Sequence, residues 1–104
     1  MAKKSSDTNV LERVESSTRT ARPSEYDVIM WNDDVTPMDC VVIVLIEAFQ
    51  KDLATALNIM ISIHQSDRGL VGTYPREEAY SRVDTAKRLV EEMGVPLLIT
   101  VERH

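Results

Sequence analysis

The chain has 104 residues, 43% of them hydrophobic, which suits one compact domain that buries roughly two thirds of its unfolded surface. Seventeen acidic against 12 basic residues give a formal net charge of −5 with no local basic patch, so nucleic-acid and anionic-membrane binding are not expected. The single cysteine, Cys40, has no disulfide partner within the chain and lies in an apolar run, which predicts a buried thiol in a reducing compartment.

No stretch reaches the ~18 apolar residues of a membrane span, and the start is polar rather than an apolar signal core, so a cytoplasmic protein is expected. Residues 1–25 carry few large apolar side chains, chiefly Val10, Leu11 and Val14, and are dense in Ser, Thr and charged residues. Such a composition does not repay the entropy of ordering, and it predicts a flexible N-terminal extension ahead of a globule over 26–104. Five basic and four acidic residues lie in this extension, so the acidity belongs to the globule.

Tyr26 to Trp31 alternates as a strand, with Tyr26, Val28 and Met30 on the inner face. Asn32-Asp33-Asp34 ends it in a polar turn. Thr36-Pro37-Met38-Asp39 reads as a helix start, with Thr36 as N-cap and Pro37 in the first helical position. The β-branched run Val41 to Val44 favours a strand by propensity. Even so, the stretch from Met38 to Phe49 is too long for one, and a helix buried on most of its surface is predicted.

Asp52 caps a second predicted helix whose apolar stripe runs Leu53, Leu57, Met60 and His64, with Ala56 and Ile63 beside it. Residues 65–69 break that pattern. A short strand follows over Leu70 to Tyr74, with glycines that permit a bulge or a close approach. Pro75 opens a third helix with Ala79, Val83, Ala86, Val90 and Met93 along one face, and with Glu78–Arg82 and Asp84–Arg88 paired on the outer one. Gly94 and Pro96 stop it, and Leu97 to Glu102 forms a last strand. The order β-α-α-β-α-β describes an α+β fold with one small sheet.

The residues that invite chemistry are Asn32, Asp33, Asp34 and His64, beside the apolar set Met38, Val41, Met60, Ile63 and Leu97. Neighbours in an extended segment point to opposite sides, so one of the two aspartates binds while the other caps. Four readings stay open on spacing alone. A metal site has too few ligands and no dense His/Cys spacing, and a hydrolase using Asp34 and His64 lacks a nucleophile in a catalytic context. A receptor for a primary ammonium group would match carboxylate, amide oxygen and neutral imidazole to its three donors. The fourth is a plain polar turn with His64 at a helix end.

The stretch Tyr26 to His104 resembles the ClpS family of adaptor proteins. The resemblance rests on a strand leading to Asn32-Asp33-Asp34, then Thr36-Pro37-Met38, a helix ending in His64, Gly72-Thr73-Tyr74-Pro75 before a long helix, and Pro96-Leu97-Leu98 before the final strand. It implies three helices packed on a three-stranded antiparallel sheet. It also implies a non-enzymatic adaptor of the N-end rule pathway, without metal or cofactor, that binds proteins by a bulky hydrophobic N-terminal residue and delivers them to a Clp-type AAA+ unfoldase and peptidase.

In that family the positions matching Asn32, Asp34 and His64 hold the substrate's α-amino group, and that matching Asp33 adds to the acidic setting. Positions matching Thr36, Met38, Val41, Met60, Ile63 and Leu97 form the side-chain pocket, with Met38 as a gatekeeper against β-branched residues. Glu77 and Arg82 match positions that contact the unfoldase N-terminal domain, and residues 1–25 match an extension used in substrate handoff. The family commonly has Glu-Thr-Lys where this chain has Tyr80-Ser81-Arg82, and Arg keeps the charge of Lys without its geometry. The ClpS fold is also similar to the C-terminal domain of the bacterial ribosomal stalk protein, which lacks the Asn-Asp-Asp and His pairing.

Overall fold

A computed structural model describes residues 24–104. The predicted extension over 1–25 lies outside them except for Ser24 and Glu25. The elements run β1 (Glu25–Trp31), α1 (Met38–Phe49), α2 (Leu53–Ser66), β2 (Arg68–Pro75), α3 (Arg76–Met93) and β3 (Leu98–Arg103). The sheet has the order β2-β1-β3, with β1 antiparallel to both neighbours. Both long connections between strands are thus helical, and the three helices cover one face of the sheet.

Alternation along β1 places Val28 and Met30, both fully buried, in the core shared with the helices. Ile29 is buried too, although it points the other way, because β1 is the central strand. On that outer face Trp31 donates its indole N–H to Thr100 Oγ1 at 2.8 Å, and Arg68 stacks over its ring. The irregularity expected near the glycines is present. Val28 pairs with Gly72 and Ile29 with Leu70, so Val71 is the extra residue of a bulge in β2.

In α1 the spacing of Val41, Val44, Leu45, Ala48 and Phe49 makes a buried stripe, and this packing overrides the β-branched propensity. The helix is less enclosed than its composition predicts: Met38 and Ile43 are exposed and Cys40 is only half-buried. It also begins one residue later than expected. Pro37 is the N-cap and has no polar side chain to cap with, while the Thr36 hydroxyl donates to the charged Asp33 carboxylate.

Helix α2 is capped as expected, the Asp52 side chain accepting from the Thr55 N–H at 2.8 Å, but it is turned about its axis from the expected orientation. Ala56 and Ile63 are the buried residues, whereas Leu53, Leu57 and His64 are exposed. The contact with β2 falls on the Ile59–Ile63 side of the helix, where the absence of a side chain at Gly69 leaves room for Ile63.

In α3 the buried stripe is Ala79, Val83, Ala86 and Val90, with Met93 half-buried, and Gly94 closes the helix at φ 70°. Glu78 and Arg82 pair at 2.9 Å, while Arg88 turns to the Thr85 hydroxyl rather than to Asp84. No helix of the described residues is long and apolar enough to cross a membrane.

Candidate functional site

Beyond Trp31 the chain leaves the sheet, and its direction is held by one backbone bond: Asn32 N–H donates to the Asp67 carbonyl at 2.8 Å. Asp67 is the C-cap of α2 in a left-handed conformation, φ 69°, which Asp tolerates better than most non-glycine residues. The end of α2, and with it His64, is thereby tied to the start of the Asn-Asp-Asp turn.

Within that turn the two aspartates divide their roles. Asp33 Oδ1 accepts from the N–H groups of Val35 and Thr36 at 2.8 and 2.6 Å, and its Oδ2 accepts from the Thr36 hydroxyl at 2.7 Å. Desolvation works against ionisation of Asp33, but the Thr36 amide, the Thr36 hydroxyl and the Val35 amide together outweigh it and hold its pKa below the ordinary carboxylate value. Asp34 is exposed. Among the described residues, no hydrogen bond engages the side chain of Asn32, Asp34 or His64.

These groups surround a cavity of about 210 Å³ lined by Asn32, Asp33, Asp34, Thr36, Met38, Val41, Met60, Ile63 and His64. Its lining combines the acceptor-rich side chains of the turn and His64 with apolar side chains of two helices, and Val41 and Ile63 are also members of the core. Met38, which also lines the cavity, is nearly half exposed, at 47%.

Leu97 is the one residue of the expected pocket that does not line this cavity. It is buried in the core just before β3, and β3 lies on the side of β1 away from β2, against which α2 packs. Asp67, whose carbonyl ties the end of α2 to the turn, and Gly69, which lies against Ile63, are not in the expected set. Both lie in the 65–69 stretch, whose break in helical periodicity is the signal the sequence carries.

The expected partner-contact residues occupy another surface. Glu77 is exposed on the first turn of α3, beside an open hollow lined also by Arg76, Tyr80 and Arg88. Arg82 is less available than its place outside the buried stripe predicts. Its guanidinium pairs with Glu78, donates to the Ala48 carbonyl at 3.3 Å and lies 5.4 Å from the centre of the Tyr74 ring. Burial pushes the Tyr74 phenol pKa up, against the opposing pull of Arg82. No metal-binding group of three or more His, Cys, Asp or Glu side chains exists among the described residues.

Fold and cavity together define a small α+β module with a cavity that joins apolar side chains to acceptors free of partners among the described residues. The comparisons with known proteins give that module its family. Residues 21–100 match the family model described as "ATP-dependent Clp protease adaptor protein ClpS". The chain is 44% identical over 91 residues to the adapter protein ClpS of Variovorax paradoxus strain S110, covering 88% of this chain and 75% of the relative. It is 41% identical over 96 residues to that of Burkholderia mallei strain SAVP1, covering 92% and 90%. Agrobacterium tumefaciens ClpS2, solved bound to L-phenylalaninamide, superposes with a TM-score of 0.76 at 32% identity, covering 80% of this chain and all of that one. The chain belongs to the ClpS family of Clp protease adaptors, and it is an adaptor rather than an enzyme.

Proposed function

We propose that the cavity receives the first residue of a substrate protein, with its free α-amino group at the Asn32–Asp34–His64 rim and a bulky hydrophobic side chain in the recess formed by Met38, Val41, Met60 and Ile63. The observation that carries this reading is the juxtaposition of the two linings in one cavity. An ammonium group has three donors, and the amide oxygen of Asn32, a carboxylate oxygen of Asp34 and a neutral imidazole nitrogen of His64 supply three acceptors with no partner among the described residues. The ligand of the Agrobacterium relative, phenylalaninamide, combines a free amino group, an aromatic side chain and an amide where a peptide chain would continue.

Charge-assisted hydrogen bonds contribute about 1.5 to 3 kcal/mol each, and an internal or acetylated segment cannot make them, which restricts recognition to a true chain beginning. Burial of the first side chain adds roughly 1.5 to 3 kcal/mol. Thr36 acts through Asp33: its hydroxyl is committed to that carboxylate, and the pair shapes the turn on which Asp34 sits. Met38, a partly exposed lining residue, takes the gatekeeper role against side chains branched at Cβ that the family resemblance implies.

Bound proteins are then passed to the N-terminal domain of a Clp-family AAA+ unfoldase in the cytoplasm, with Glu77 and Arg82 on the contacting surface and residues 1–25 serving handoff. Calorimetric titration with two peptides that begin in Phe and differ only in acetylation of the amino group tests the reading. The free peptide binds and the acetylated one loses at least tenfold in affinity, a factor of about 1.4 kcal/mol. Equal affinities would refute it.

A further inference from the structure

Gly69 is buried in β2 directly opposite Met30, facing the underside of α2. A Cβ at this position would meet Ile63 Cγ1 at 2.7 Å, whereas its nearest backbone neighbours, Ile63 N and Ile59 O, stand at 3.5 and 3.6 Å, ordinary contact distances. The space behind Ile63 is therefore filled by the side chain itself. Ile63 is 2% exposed and also lines the cavity, which Gly69 does not touch.

We propose that Gly69 is a positioning residue for size selectivity: the missing side chain lets Ile63 sit back against β2, and this sets how deep a substrate's first side chain can enter. The inference rests on the reading of the cavity as the N-terminal-residue pocket. A β-branched side chain in a helix has one strongly preferred χ1 rotamer, so Ile63 cannot swing aside. A methyl group at position 69 must displace it by about 0.7 Å to reach the 3.4 Å of ordinary contact. The rest of the core is close-packed, and the cavity is the side on which space exists. The displaced isoleucine narrows the recess where a large ring needs depth, while a leucine reaches less far.

The test measures affinities of the full chain for peptides that begin in Leu, Phe or Trp and are otherwise identical, with Gly69→Ala, Ile63→Ala and the double variant. Gly69→Ala weakens the Phe and Trp peptides about tenfold, the size of effect a single methylene has in an apolar pocket, and weakens the Leu peptide less than about threefold. In the Ile63→Ala background the same change at position 69 alters no affinity beyond about twofold, since its opponent is gone.

An unchanged Phe-to-Leu ratio in folded Gly69→Ala, or an equal shift in both backgrounds, overturns the inference while the pocket reading stands. A wild-type chain that ignores acetylation of all three peptides overturns both. Should Gly69→Ala alone fail to fold, the double variant must fold and bind as Ile63→Ala does, and its failure to do so also overturns the inference.

Discussion

The rim of the cavity and the outer face of α3 are both polar surfaces, yet they treat their charged groups in opposite ways. At the rim, Asp34 and His64 are exposed and have no partner among the described residues, as the proposed ammonium site requires. On α3, the Arg82 guanidinium is held by Glu78, the Ala48 carbonyl and the Tyr74 ring, and contact with another protein must compete with all three. The same contrast recurs between adjacent aspartates, since Asp33 holds the turn and Asp34 remains open. Charge type and spacing do not separate a side chain held by internal partners from one left open; the tertiary structure does.

Substitutions sharpen that contrast. Asp34→Ala or His64→Ala should each weaken binding of a Phe-starting peptide by about 1.5 to 3 kcal/mol with little change in thermal stability, as calorimetry and circular dichroism would record. A comparable loss of stability would mean that the rim is structural after all. Asp33→Ala should do the reverse, lowering unfolding free energy in urea by about 1 to 2 kcal/mol, because it strips the Val35 and Thr36 donors of their acceptor. Arg82→Ala should cost less, about 1 kcal/mol or below, since a partly exposed ion pair and a cation over a ring are each small contributions. Glu77→Ala should leave stability within about 0.5 kcal/mol while impairing delivery in a reconstituted degradation assay.

Acid gives a further, smaller handle on the same division. The folded pKa of Asp33 lies below its ordinary value of 3.8, as do those of Asp27, held mainly by the Thr73 hydroxyl, and of Asp52, held by Thr55. A depressed folded pKa means that the ionised form is preferred in the native state. The stability these groups contribute is complete above 3.8 and is lost as pH falls through the lower, folded values. Urea midpoints should therefore decline below about pH 4, and Asp33→Asn should flatten part of that decline; an unaltered acid limb would show that its hydrogen bonds are not what shifts it.

Where information is local, the sequence by itself determined the outcome. The stripe and stop of α3, the inner face of β1, the Asp52 cap and even the β-branched α1 follow from periodicity and capping over a few residues, and periodicity is set by backbone geometry alone. Family membership was legible for the same reason, as short motifs at fixed separations. The tertiary structure decided what depends on segments distant in the chain. It turned α2 so that Ala56 and Ile63, rather than the leucines, face the core, and it left Leu97 outside the cavity wall. It closed Arg82 onto Ala48 and set Gly69 behind Ile63. Sequence pattern shows which faces of an element are apolar, but contact geometry between elements selects which side chain fits at the closest approach and which polar group is left for a ligand.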